Sequence, residues 1–217
     1  MVEWMTGVIE AAGALGVAAL MFLENLFPPI PSELVMPLAG YVAQMHEGGA
    51  PALAAMIAGG VVGSVAGATL WYWVGLRIGA AGLKRFSRRH GRWLTLTPGD
   101  VDKADAWFDR HGGWAVLLGR LVPTVRTFVS VPAGVSGMRL WPFLALTTAG
   151  STVWVSLLAG AGWALGREYE AVSAWLDPVA TGVLVAIGAI YLYRVATFRR
   201  TIRKQDARQE THGRSEP

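Results

Sequence analysis

The chain has no cysteine among its 217 residues, which excludes a disulfide framework and a thiolate metal site. Its four histidines, His46, His90, His111 and His212, are scattered without ligand spacing, and no metal or cofactor is expected. The opening stretch MVEWMTGVIEAAG has no Lys or Arg, so it lacks the basic region that begins a signal peptide. Charge is scarce as well: 16% of residues, against 53% hydrophobic. It is absent altogether from 48–76 and 140–166, runs of 29 and 27 residues. Runs of 18 or more argue for membrane-spanning helices. A shorter run, 178–193, gains interfacial anchors from Trp175, Tyr191 and Tyr193 and predicts a C-terminal span over 176–196. The chain therefore reads as an all-α integral membrane protein. Its pI near 9.8 does not point to nucleic acid, because the basic residues gather beside the spans.

Between the long runs lie shorter uncharged ones, 11–23, 34–46 and 127–138. Thirteen helical residues reach only about 20 Å, short of a hydrocarbon core about 30 Å thick. Pro28, Pro29 and Pro31 break the first pair of limbs, and Pro123 breaks the second. Such breaks are tolerated at membrane depth only where protein or a wet cavity satisfies the freed backbone groups. The expected layout is a re-entrant hairpin over 8–46 followed by a span over 48–76, then a loop over 77–111. A second hairpin (112–138) and span (140–166) follow. Because a hairpin returns to the side it entered from, the two open to opposite faces, as in an inverted repeat with a site near the midplane. An alternative layout lets residues 7–27 cross fully.

Charge placement orients this arrangement. Residues 77–110 carry Arg77, Lys84, Arg85, Arg88, Arg89, Arg92, Lys103 and Arg110, and the tail from Arg194 is also basic. The positive-inside rule makes both segments cytoplasmic. One domain is expected over 1–198, with 199–217 a disordered basic tail. Within the loop, Thr97, Pro98 and Asp100 form a helix start, and Val101, Ala104 and Phe108 share one face of a short interfacial helix.

Four charges fall inside the apolar limbs: Glu24 and Glu33 in LENLFPPIPSELVMPLAG, and Arg120 and Arg126 in GRLVPTVRTFVSVPAGVSGM. A charge at mid-bilayer costs about 2.5–3.5 kcal/mol on insertion scales, so four of them mark a polar site. Guanidinium forks with the hydroxyls of Thr124, Thr127 and Ser130 nearby suit a phosphate oxyanion. Glu24 and Glu33 suit proton coupling, and Asn25 is placed to orient Glu24. The four charges sum to zero, so a bound phosphate leaves excess negative charge until a glutamate takes a proton. Gly59, Gly63 and Gly67, continued by Gly75 and Gly79, let helices approach closely, within one chain or in a homodimer through 59–79.

The same two blocks carry a resemblance. FLENLFPPIPSELVMPLAG resembles the first signature of the DedA family, also called the SNARE-associated or VTT-domain family, and GRLVPTVRTFVSVPAGVSGM resembles the second. The glycine-rich GSVAGATLWYWVGLRIG resembles the intervening helix. Departures are Leu76 between Gly75 and Arg77, where the family often has Gly-Arg, and Ala68, where some members have Asp. The resemblance implies a bacterial inner-membrane protein with opposed re-entrant hairpins. It also implies proton-linked translocation of undecaprenyl phosphate or a phospholipid such as phosphatidylethanolamine, with Glu24, Glu33, Arg120 and Arg126 at the functional positions. Other readings of these residues are a proton-coupled exporter of small cations or drugs, an assembly scaffold and, least supported for want of a nearby His, a lipid phosphatase.

Overall fold

The computed structural model describes residues 2–26, 32–45, 49–94, 99, 106–108, 110–111, 113–122, 126 and 128–166, with the side chains of 2, 32 and 87–94 left aside. Among these residues every regular element is helical. The helices are α1 (Val2–Leu26), α2 (Ser32–Met45), α3 (Gly49–Leu94), α4 (Gly113–Leu121), α5 (Ser130–Val135) and α6 (Leu140–Leu165). Three segments, Glu3–Leu26, Gly49–Phe86 and Leu140–Leu165, are long and apolar enough to cross a membrane. Polarity is turned inside out. Leu15, Val62, Trp141 and Leu157 face outward, while Glu24, Asn25, Ser64, Arg120 and Arg126 are buried. This is the arrangement of a multi-pass membrane protein, whose solvent is hydrocarbon.

Two boundaries differ from expectation. The first limb starts at residue 2, not 8, because Glu3 and Glu10 are exposed and a surface charge does not interrupt a helix. α1 is broken at Gly13, whose φ of 55° only glycine adopts without strain; beyond it, Ala14–Leu26 is again a short limb. The expected loop from 77 is helical as far as Leu94, since basic residues are good helix formers, with a second break at Gly79 (φ 62°). The interfacial helix is described only at 99, 106–108 and 110–111, and Phe108 is buried. Thr97, Pro98, Asp100, Val101 and Ala104 lie outside the described residues, as do the whole 176–196 span and the tail.

Proline placement explains the clean helix starts. Pro51 and Pro142 fall in the first turns of α3 and α6, where backbone N–H groups have no intrahelical acceptor to lose. Pro37 sits inside α2 and cannot donate to the carbonyl of Glu33 one turn back.

Packing follows a rule that is the same in both halves. The first helix of each half, α1 or α4, lies on the later, long helix of its own half. The second, α2 or α5, lies on the long helix of the other half. Every one of these contacts is closed by glycine. Gly59 and Gly63 meet the backbone of Ala14 and Ala18 on α1, and Gly150 meets the side-chain stem of Arg120 on α4. Gly40 of α2 sits on the carbonyl of Ala159, and Gly162 of α6 sits on that of Pro37. Gly75 of α3 faces the Val131 carbonyl, and Gly134 of α5 faces that of Tyr72. Without a hydrophobic drive between helices in lipid, such backbone proximity supplies much of the packing energy. Of the two uses that the glycine spacing allows, contact within the chain accounts for Gly59, Gly63, Gly67 and Gly75, which meet α1 and α5, while at Gly79 a Cβ would meet nothing within 4 Å.

Two apolar clusters flank the centre. One joins α1 and α2 to Met56, Val155 and Ala159. The other gathers Ala68, Tyr72, Val116, Val129 and Phe143, with Tyr72 stacked on Phe143 at 4.5 Å and donating its hydroxyl hydrogen to the Met138 carbonyl. Replacing Gly162 by Val should lower the stability of the detergent-solubilised protein by about 1–3 kcal/mol in thermal unfolding, since a Cβ there overlaps the Pro37 carbonyl. Gly160→Ala, where a Cβ meets nothing within 4 Å, should leave it unchanged or slightly raised.

Candidate functional site

Glu24 lies in the last turn of α1, Arg120 in the last turn of α4, and Arg126 in the turn between α4 and α5. The Arg126 N–H donates to the Val122 carbonyl at 3.0 Å, and its side chain is turned inward. All three side chains are buried, at 3%, 3% and 8% exposure. Arg126 donates from Nη2 to Glu24 Oε1 at 2.5 Å, across 102 positions of sequence. The other carboxylate oxygen, Oε2, accepts from Asn25 Nδ2 at 3.1 Å. Asn25 Nδ2 also reaches the Met21 carbonyl at 3.1 Å, and the Asn25 carbonyl accepts from Trp71 Nε1 at 2.9 Å. The end of α1 is thereby fastened to α3, which holds the carboxylate in place.

Arg120 is differently served. Its Nη2 donates to Ser130 Oγ at 2.7 Å, but its Nε is buried without a partner. Among the described residues no carboxylate lies within ion-pairing distance of it. Arg126 lies 5.6 Å from the ring centroid of Trp154, in cation–π range, and the Trp154 indole N–H is likewise buried without a partner. Between these groups lies a small cavity lined by Asn25, Ser64, Arg120, Arg126, Ser151, Trp154 and Val155. It has room for little more than a water molecule. Donors dominate its wall: two guanidiniums, an amide, an indole and two hydroxyls. The nearby carboxylate of Glu24 has both oxygens engaged. With Glu24, Arg120 and Arg126 all ionised, the trio carries one net positive charge, an arrangement suited to an anion rich in acceptors.

Of the sequence-predicted residues, the structure brings together Glu24, Asn25, Arg120, Arg126 and Ser130. Ser130 is fully buried and serves Arg120 without lining the cavity. Glu33, in the first turn of α2, is half-buried and off the cavity wall, though near enough for its charge to act on Glu24. Thr124, Thr127, Pro28, Pro29, Pro31 and Pro123 lie outside the described residues. Among the described residues, no three His, Cys, Asp or Glu side chains cluster as metal ligands would.

The family model for the VTT domain matches residues 30–164, which take in α2 to α5, all but the last residue of α6, and both arginines. The chain belongs to the VTT-domain, or DedA, family. It is 37% identical over 199 residues to an alkaline phosphatase-like protein of Lactococcus lactis subsp. cremoris (strain MG1363), covering 91% of this chain and 92% of that one. It is 30% identical over 203 residues to undecaprenyl phosphate transporter A of Bacillus subtilis (strain 168), covering 93% and 95%. The protein of that name in Staphylococcus aureus (strain NCTC 8325 / PS 47) is 30% identical over 154 residues, covering 71% and 74%. No solved structure matches the chain.

For this VTT-domain protein, charge alone did not reveal Ser64, Ser151 and Trp154, which stand in uncharged runs. A signal was present in the Gly-Ser pairs at 63–64 and 150–151, each followed 12 residues after its glycine by another, Gly75 or Gly162. The ion pair itself can be tested on the purified protein. Arg126→Ala should cost about 3–5 kcal/mol in thermal unfolding by stranding Glu24. Adding Glu24→Gln to that variant should recover at least about 1 kcal/mol of the loss.

Proposed function

We propose that this chain is a proton-linked translocase for a phosphate-headed lipid of the bacterial inner membrane. The observation that carries the reading is Arg120: a buried guanidinium with an unused N–H and no carboxylate partner among the described residues, in a cavity walled by donors. A phosphate headgroup supplies only acceptors and negative charge, which is what this wall lacks. Two relatives named undecaprenyl phosphate transporter A support a lipid phosphate as the cargo.

In the proposed cycle, the headgroup takes hydrogen bonds from Arg120 and draws Arg126 away from Glu24. A phosphate monoester is close to a dianion at neutral pH, so its arrival turns the net charge of the trio from +1 to about −1. A proton on Glu24 restores neutrality, and a neutral carboxyl no longer holds Arg126. Glu33 lies beside this step and adds to the demand for a proton. The cavity as it stands does not admit a phosphate, so entry requires the α1–α2 and α4–α5 pairs to part. We read these pairs as opposed re-entrant hairpins in a domain over 1–198, with 77–111 and the tail from 199 cytoplasmic, because basic residues concentrate there. Thr124 and Thr127 would add hydroxyls beside Arg126. Phosphatidylethanolamine suits this wall less well than a simple phosphate, since its ammonium finds no free carboxylate among the lining residues. The same shortage argues against export of a cation. Hydrolysis would need a base beside a nucleophile, and among the described residues no histidine lines the cavity.

Reconstituted into liposomes with undecaprenyl phosphate, the wild-type protein should move the lipid between leaflets and do so faster under a proton gradient. Arg120→Ala should slow this at least about 100-fold, the loss expected when a buried charged hydrogen-bond partner is removed. Glu24→Gln should uncouple whatever transport remains from the gradient. Wild-type rates in Arg120→Ala, or undiminished gradient dependence in Glu24→Gln, would reject the proposal.

A further inference from the structure

The two long helices are related by more than their length. Moving 87 positions along the chain takes Gly63 to Gly150, Ser64 to Ser151, Tyr72 to Ala159 and Gly75 to Gly162. Moving 94 positions takes Pro37 to Val131 and Gly40 to Gly134. These shifts convert one glycine crossing into the other. On α2 and α6, Gly40 rests on the Ala159 carbonyl and Gly162 on the Pro37 carbonyl. On α5 and α3, Gly134 rests on the Tyr72 carbonyl and Gly75 on the Val131 carbonyl. Each residue of one crossing thus has its counterpart in the other, so the two halves are structurally equivalent around the crossings.

That equivalence singles out the cavity wall. Ser64 and Ser151 are counterparts, both are buried (4% and 5% exposed), and both line the same cavity. Each follows a glycine that admits the first short helix of its own half, at Ala18 or at Arg120. Gly67 and Trp154 are counterparts too, and the space left by Gly67 is taken by the Asn25 side chain, which also lines the cavity. Both arginines come from the second half. The serines are therefore the matched polar groups that each half brings to the cavity.

Resting on the proposed lipid-phosphate reading, we infer that Ser64 and Ser151 are a pair of equivalent substrate ligands, one hydroxyl from each half, which hold the headgroup oxyanion where the halves meet. A hydroxyl suits this place because it donates to an oxyanion and adds no charge to a site whose balance is set by Glu24 and the arginines. Two groups fixed on the long helices stay at the junction while the short helices part to one face or the other. The arginines capture the headgroup, and the serines mark the position it occupies in both open forms.

The test uses the full chain in liposomes of neutral lipid, with undecaprenyl phosphate varied as the probe. Ser64→Ala and Ser151→Ala should each raise the half-saturating lipid fraction about tenfold, the loss of one hydrogen bond to a charged group. The two shifts should agree within about threefold, the double variant should exceed either, and thermal unfolding without the probe should match wild type. Thr69 and Ser156 are also counterparts 87 apart, but neither lines the cavity, and Thr69 is bonded back to the Val65 carbonyl. Thr69→Ala and Ser156→Ala should stay within about twofold of wild type. An unchanged half-saturation in either serine variant, or equal damage from the Thr69 and Ser156 variants, overturns the inference. If Arg120→Ala is crippled while the serine variants behave as wild type, only the serine assignment falls. If the wild-type protein shows no saturable transport, the lipid-phosphate reading falls, and this one with it.

Discussion

One ion pair, Arg126 to Glu24, closes the centre of this protein. It joins the end of α1 to the turn after α4, two places that otherwise belong to different halves of the chain. A buried pair of this kind stabilises little relative to an apolar substitute, but breaking it leaves an isolated charge and is very costly. Its chief effect is therefore to permit only arrangements in which both charges stay answered. Asn25 and Trp71 extend that constraint to the backbone of α1 and to α3. Arg120 stands beside the pair with no carboxylate partner among the described residues, and this inequality between two neighbouring arginines leaves an unanswered N–H at the cavity.

The surrounding scaffold is built from close approaches. Glycine on one helix meets carbonyl on the next at Gly40, Gly75, Gly134 and Gly162, and the second short helix of each half is held by the opposite half. Such crossings have little side-chain interlock, so helices joined by them can shift against each other without repacking large residues.

Much of the site could be read from sequence because buried charge is so expensive. Glu24, Arg120 and Arg126 in apolar limbs had to find one another, and they do. Helix boundaries were less legible. Glu3 and Glu10 ride on the exposed side of α1, and Arg77, Lys84 and Arg85 are carried on α3, so charge marked solvent contact but not the ends of helices. The glycine series could not reveal its own partner, because the same spacing serves contact within a chain or between chains. The carbonyls of Ala14 and Ala18 give Gly59 and Gly63 a partner within the chain. Ser64, Ser151 and Trp154 were hidden because their place depends on which face each long helix turns inward, a matter of rotation that an uninterrupted apolar run does not encode.

The exchange of second short helices between halves also bears on biosynthesis. A ribosome delivers α2 early, yet the helix on which Gly40 rests emerges only about 120 residues later. Until α6 arrives, α2 has lost its main neighbour and must wait beside α1 and α3 with one face bare. The first half is thus fully packed only once α6, the later of the two long helices among the described residues, is in place.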